Sequence, residues 1–338
     1  QGFTKNRVWQ FGKQSALGTA VAATRRWGAR GVPTVEPNWT AQDQVDVGSV
    51  DPILPNYRVQ TDYTATLTGN LTYDDIPTIM NAGLRGGVTP VTASSTYQWT
   101  HTGLSTSATT FDYFTADFAD DVSGDGWEFR DGIVETFELS FDESLGPWQF
   151  STGWRWGYGD YGVTPTAGLA VGSNLPLVFG ADTKLFVDST SGGIGTTQIS
   201  DALHRATITV TNSIDVKRFA NGSNSRFAVA GYGLTSREIT ASFTFAKTSA
   251  TVGLASEAAK WLTADATNRY IKLNTVSTSI IAGAIPYSWD LFLSGNWTSR
   301  TDEEVGGNSV VTLTCRGRYD AGLGYPLKSY VVNNRSSL

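Results

Sequence analysis

From residue 57 onward, apolar and polar positions alternate: Val59, Tyr63, Ala65, Leu67 and Leu71 against Arg58, Gln60, Asp62, Thr66 and Asn70. Period two is the mark of a strand with one buried face. The same alternation sets Ile133, Phe137, Leu139 and Phe141 against Thr136, Glu138, Ser140 and Asp142, and Trp148, Phe150, Trp154 and Trp156 against Gln149, Ser151, Gly153 and Arg155. Val311, Leu313 and Cys315 alternate with Thr312, Thr314 and Arg316. Only two stretches read as helix. Residues 74–84 have Thr72 or Asp74 as a cap, Pro77 early, and Ile76, Ile79, Met80 and Leu84 on one stripe; residues 254–262 carry Leu254, Ala258, Trp261 and Leu262.

These patterns occur twice, in order rather than identity. Residues 34–39 line up with 209–214, and 63–71 with 239–245, a spacing of 176 (239 minus 63). The same order, about 175 residues on, matches 97–102 with 270–275, 133–141 with 309–317, and the Trp-rich strand with 327–333. A period of half a chain predicts two tandem β-sandwich or barrel domains, far above the repeat length of a solenoid. The expected organisation is an N-terminal arm over 1–33, a first domain over 34–160, a Gly/Pro-rich linker over 161–200 and a second domain over 201–338. Residues 191–195 read as a flexible tip.

Length and composition fit this reading. A chain of 338 residues has the size of about two domains, each able to bury a core. Only 17% of residues are charged while Gly reaches 36, which suits strands joined by turns; the class is all-β with one short helix per repeat. A formal charge of −6 argues against a general nucleic-acid binder, and the densest basic spot, Arg25, Arg26 and Arg30, is small. The lone Cys315 rules out an internal disulfide framework and reads as a buried small residue. No run reaches the ~18 apolar residues of a membrane-spanning helix, and the start at Gln1 is read as a cleaved initiator Met.

Chemistry-bearing residues are few. His101 and His204 have no nucleophile motif beside them, and His101 continues the strand face of Tyr97 and Trp99. Glu135 and Glu138 could be set as a glycosidase pair only if they shared a face. Asp121, Ser123 and Asp125 open like a calcium loop, but position twelve is Gly132 rather than a bidentate Glu, so a polar hairpin turn is the plainer reading. Trp148, Trp154 and Trp156 could stack sugars if exposed; alternation with polar residues places them in a core or subunit interface. No catalytic residue and no cofactor is expected.

Four stretches taken together, residues 13–24, 67–77, 131–141 and 330–334, resemble the major tail tube proteins of long, flexible-tailed bacteriophages, in order and spacing more than in any diagnostic residue. The resemblance implies a sandwich subunit with a flanking helix, assembling into rings stacked as a hollow tube that conducts the DNA genome without binding it specifically. Simple members carry one such domain in six-membered rings; two domains per chain imply a homotrimeric, pseudo-sixfold ring. The implied partners are further copies of the chain, a tape measure protein in the lumen during assembly, and tail tip and terminator proteins. The implied location is the virion, after assembly in host cytoplasm, with no membrane involved. Glu138, Asp142, Thr312 and Thr314 are the candidates for lining the bore, and Phe137, Leu139, Phe141, Val311 and Leu313 for facing the sandwich. Residues 1–33, 89–96 and 189–197 are expected to make contacts between rings. An outer-membrane porin and a carbohydrate-binding or carbohydrate-hydrolysing β-sandwich are the alternatives.

Overall fold

A computed structural model describes residues 7–40, 57–103, 111–119, 125–169, 176–200, 202–218, 229–247 and 268–338; the side chains of 37–40 and 57–60 are not described. The fold is all-β with one described α-helix, built as one large open antiparallel sheet. The first half of the chain holds β1 (Val8–Lys13), β2 (Arg25–Trp27), β3 (Pro33–Thr40), β4 (Tyr57–Asn70), α1 (Ile76–Gly83), β5 (Val91–Ala93), β6 (Thr96–Gly103), β7 (Phe114–Ala119), β8 (Gly126–Phe141), β9 (Gln149–Trp156) and β10 (Tyr158–Tyr161). The second half holds β11 (Thr183–Asp188), β12 (Gln198–Ile199), β13 (Leu203–Lys217), β14 (Gly231–Ala246), β15 (Arg269–Ala282), β16 (Ile285–Val305), β17 (Asn308–Gly317) and β18 (Leu327–Asn333).

Two strands, β8 and β16, are long enough to serve two layers. With their C-terminal parts they join a front layer in the order β3-β4-β9-β8-β13-β14-β17-β16. Their N-terminal parts pair instead with strands of the back layer: β8 lies between β7 and β10, with β1 and β2 beyond β7, while β16 lies between β15 and β18, with β11 and β12 beyond β15. β6 completes the back by pairing with β18. Aromatic rings fill the gap between layers in the first half. Trp9 of β1 stacks on Trp156 of β9 at 5.6 Å between ring centres, Phe11 lies 5.1 Å from Trp154, and Trp27 stacks on Phe150 at 5.1 Å. Each such ring removes about 150–250 Å² from water, which makes this cluster a main source of stability.

The ladders of the first half recur in the second. β3 and β4 shift register after Asn38, and of the two shifts between β13 and β14 one falls at the matching place, after Ser213, the other lying near the start of β13 between Leu203 and Arg205. β8 and β9 are offset by a bulge between Val134 and Thr136, and β16 and β17 by one between Trp297 and Ser299. Bulges disturb a ladder at one residue, so their repetition ties the two registers together residue by residue. Tyr63 takes the ladder place of Ile239 and Thr34 that of Thr209, as the sequence spacing predicts.

Beyond the helix the spacing fails. Residues 133–141 occupy the ladder place of 296–304 in β16, not of 309–317, and β9 corresponds to β17, not to β18. The cause is a difference in connections: between matching ladder places the first half runs longer (138 minus 63 is 75) than the second (301 minus 239 is 62), and alternation alone does not tell one strand from the next. Residues 7–33, read from sequence as part of an arm, contribute β1 and β2, and residues 161–200, read as a linker, contribute β11 and β12. Trp9, Phe11, Leu185 and Val187 of these strands are buried in the chain's own core. At the end of the 191–195 tip, the Asp188 carboxylate accepts backbone N–H groups from Gly195, Thr196 and Thr197 at 2.8, 3.2 and 3.0 Å. Burial opposes ionisation of Asp188, but bonds from Thr197, Thr196 and Gly195 outweigh it and hold the carboxyl below its usual range.

α1 departs from the amphipathic expectation. All eight of its residues are buried. Thr72 accepts the Asp75 N–H at 3.2 Å and donates to its carboxylate at 2.6 Å, fixing the start. At the C-terminus the strands of the second half close over it: Asn212 Nδ2 donates to the Gly83 carbonyl at 2.8 Å, and Arg237 donates to the Leu84 carbonyl at 2.8 Å and to Asn212 Oδ1 at 2.8 Å. The second helix expected from sequence, 254–262, lies outside the described residues.

Candidate assembly face and edges

The front layer has two unlike faces. Strand alternation puts Phe137, Leu139 and Phe141 of β8, Ile208 and Val210 of β13, Phe243 of β14 and Val311 and Leu313 of β17 on the inner face, all buried. The residues between them form a polar face: Thr64, Thr66 and Thr68 on β4, Ser151 and Arg155 on β9, Thr136 and Glu138 on β8, Thr207 and Thr209 on β13, Thr240 and Ser242 on β14, Thr312 and Thr314 on β17, Ser299, Thr301 and Glu303 on β16. Short hydroxyl side chains dominate, and neighbours satisfy one another: the Thr244 and Thr312 hydroxyls lie 2.8 Å apart, and Thr209 donates to Glu138 at 3.5 Å. Charges there are held in cross-strand pairs, Arg155 with Glu135 at 2.8 Å, Arg205 with Glu303 at 2.8 Å and Arg316 with Glu238 at 3.2 Å. Burial raises the Glu135 carboxyl, against the pull of Arg155.

Of the four sequence candidates for the polar face, Glu138, Thr312 and Thr314 share it. Asp142 lies one residue past β8 in an exposed turn, where the Ser144 hydroxyl and N–H hold its carboxyl low. Sequence alternation put Arg155 and Arg316 among the polar positions without pairing them with acids, and it did not reach Arg205. Arg155 meets Glu135 across consecutive strands, whereas Arg205 and Arg316 meet Glu303 and Glu238 across strands far apart in the chain, a signal visible only once the ladders are known.

The front layer ends in two free edges. Among the described residues, no strand pairs with the outer side of β3, and none with the outer side of β16 over 298–305. β16 and β17 are closed by Gly306 and Gly307, both at positive φ (57° and 80°), as a two-residue hairpin turn demands. The tip beside this turn carries Asp302, Glu303 and Glu304, all exposed.

The residues weighed for chemistry sit apart. His101 is buried, its Nε2 2.9 Å from Asn81 Nδ2; an amide nitrogen can only donate, so Nε2 accepts and the ring is neutral. Burial, with smaller contributions from Arg85 and Lys13, lowers its pKa to about 3. His204 is half-buried on β13, away from it. Cys315 is buried, and burial alone pushes its thiol up to about 12. Trp148, Trp154 and Trp156 are at most 2% exposed, so they offer no sugar-stacking platform. Asp121 and Ser123 lie outside the described residues; Asp125 is exposed and accepts the Tyr161 hydroxyl. Among the described residues, no group of three His, Cys, Asp or Glu could hold a metal ion. No helix among them is long and apolar enough to cross a membrane.

No protein-family model matches the chain, and no curated protein matches it. Among solved structures it is similar to the hybrid solid-state NMR and cryo-EM structure of the SPP1 tail tube, at 15% identity and a TM-score of 0.27, over 47% of this chain and 81% of that one.

Proposed function

We propose that this protein is the structural subunit of a bacteriophage tail tube, in which one chain supplies two copies of a sandwich unit and three chains close a ring. The observation that carries the reading is the front layer: eight strands, a continuous hydroxyl-rich face, and at each end an edge that no strand among the described residues pairs with. Free edges on a long sheet are a hazard for a monomer and a joint for a polymer. The recurrent ladders support two equivalent units per chain, and the motif order described above supports the family.

Geometry sets how many chains are needed. Eight strands closed on themselves leave an interior that side chains fill. Three chains give three times eight strands; at ~4.8 Å per strand and a tilt near 40°, opposite backbones lie about 48 Å apart, which leaves an open bore. The hydroxyl-rich face would line it, with Glu138, Thr312 and Thr314 toward the lumen. An uncharged or acidic wall lets DNA pass, whereas basic walls bind the backbone with Kd of roughly 10⁻⁴ to 10⁻⁶ M per site and would stall transit. The arrangement is structural and calls on no enzyme chemistry. Its partners would be further copies of the chain, a tape measure protein in the lumen during assembly, and the tail tip and terminator proteins, all in the virion.

The test is electron microscopy of the purified protein at high concentration, prepared without detergent. Hollow filaments about 10 nm wide, a few sheet layers of ~10 Å around the bore, are expected. A protein that extracts only into detergent, or one that forms no filament at any concentration, would overturn the reading.

A further inference from the structure

The chain carries the pattern for its own ring joint. In the middle of the front layer β8 and β13 pair over 136–141 and 206–211, with Glu138 opposite Thr209. This is the junction between the first and second units. The shared bulges place Thr301 of β16 where Glu138 stands in β8, and Thr34 of β3 where Thr209 stands in β13. Both of these counterpart edges are the ones left unpaired among the described residues. Resting on the tail-tube reading, we propose that residues 299–304 of one copy pair antiparallel with residues 31–36 of a second copy, with Thr301 opposite Thr34.

The side chains fit a joint made on assembly rather than on folding. At the internal junction β8 presents Phe137 and Leu139 to a closed core; the matching residues of β16 are Arg300 and Asp302, which an edge exposed in the free chain can carry. The polar latch from Asn212 and Arg237 to α1 has no equivalent either, because their ladder counterparts are Pro37 and Thr61. Pro33 and Pro37 cannot donate to a ladder, so within β3 their nitrogens belong on the outer side. Of the three outward positions 33, 35 and 37, only Val35 then offers an N–H. The edge is weakened against casual pairing yet keeps its carbonyl acceptors.

That alternation also makes Thr34 a non-hydrogen-bonded position toward a new strand, where facing residues come closest, ~4.5 Å between Cα atoms. Charge agrees with the register: Glu303 would stand diagonal to the exposed Arg30 of the second copy, within reach of a long side chain.

The register is tested by cross-linking. The double variant Thr301→Cys/Thr34→Cys is oxidised mildly after assembly and run on a non-reducing denaturing gel; buried Cys315 does not compete. The expected product is a covalent trimer as the end point, with more than half of the chains linked. A mixture of the two single variants should give dimers only, which establishes that the bond is between copies. Thr301→Cys/Pro33→Cys, one residue out of register and therefore on the opposite face, should link at least tenfold less. Filaments that assemble normally while the 301/34 pair stays monomeric would overturn this joint and leave the tube reading standing. A protein that never forms filaments or rings would overturn both.

Discussion

Glycine and histidine make the sharpest statements at the scale of single residues. Gly132 sits where β8 passes from β7 to β9, and Gly295 sits at the same ladder place in β16. A Cβ on Gly132 would stand 2.4 Å from Trp156 Nε1 and 3.0 Å from the Phe114 carbonyl; on Gly295 it would stand 2.3 Å from the Arg316 carbonyl. Trp156 is wedged between other rings, and at Gly295 the nearest atom is backbone with the buried Cys315 Sγ beside it at 2.7 Å, so neither can yield cheaply. Gly132→Ala and Gly295→Ala should each cost about 1–3 kcal/mol, read as a lower denaturation midpoint. For His101 the sign follows from burial. The folded pKa of about 3 lies below the unfolded ~6.5, so below pH 6.5 the unfolded chain binds the extra proton and stability falls as pH drops toward 3. Between pH 7 and pH 5 the loss from this group is about 2 kcal/mol, and His101→Gln should flatten the dependence of the denaturation midpoint over that range. Sequence alternation placed His101 on the strand face of Tyr97 and Trp99, packed or at the surface; that it is buried and held neutral by Asn81 of α1 is seen only in the fold, since nothing in the local sequence brings those two together.

Among the elements, strands were legible and their neighbours were not. Val59 to Leu71 and Ile133 to Phe141 announce themselves by alternation, and the Thr34 and Tyr63 spacings to the second half hold in the ladders. β1 stayed hidden because Trp9, Gln10 and Phe11 are all buried, so no polar face interrupts the run. The correspondence of β8 with β16 stayed hidden because connection lengths differ between the halves, and period two is the same in every strand. Two predictions belong here. Asn212→Ala removes the bond to the Gly83 carbonyl and strips Arg237 of one acceptor, leaving buried groups unsatisfied; it should lower the stability of the free chain by about 1–3 kcal/mol. Pro33→Ala with Pro37→Ala adds two N–H donors to the outer edge of β3 and, on the proposed joint, should lower the concentration at which filaments appear by light scattering. An unchanged threshold would mean that β3 is not the joining edge.

For the whole molecule, one physical idea connects sequence to role. A sheet with one face of Phe, Leu and Val and the other of Thr and Ser is stable only when the first is covered, and here the back layer covers it. Among the described residues the second face and the two edges are left over, and on the proposed function they would supply a wall that does not hold DNA and joints that repeat. On the proposed function, the arginines of that face are each paired with an acid and the chain carries a formal charge of −6, so the wall would present no basic track. Mixing assembled tubes with duplex DNA at physiological salt should therefore give no shift on a native gel. The most direct measurement is a cryo-EM reconstruction of the filaments viewed down their axis. The account predicts three chains per ring with near-sixfold symmetry, and density for the hydroxyl rows, Thr301, Thr312 and Thr314 among them, facing the bore. Six chains per ring, a filled core, or a bore bounded by Phe137, Leu139 and Leu313 would contradict it.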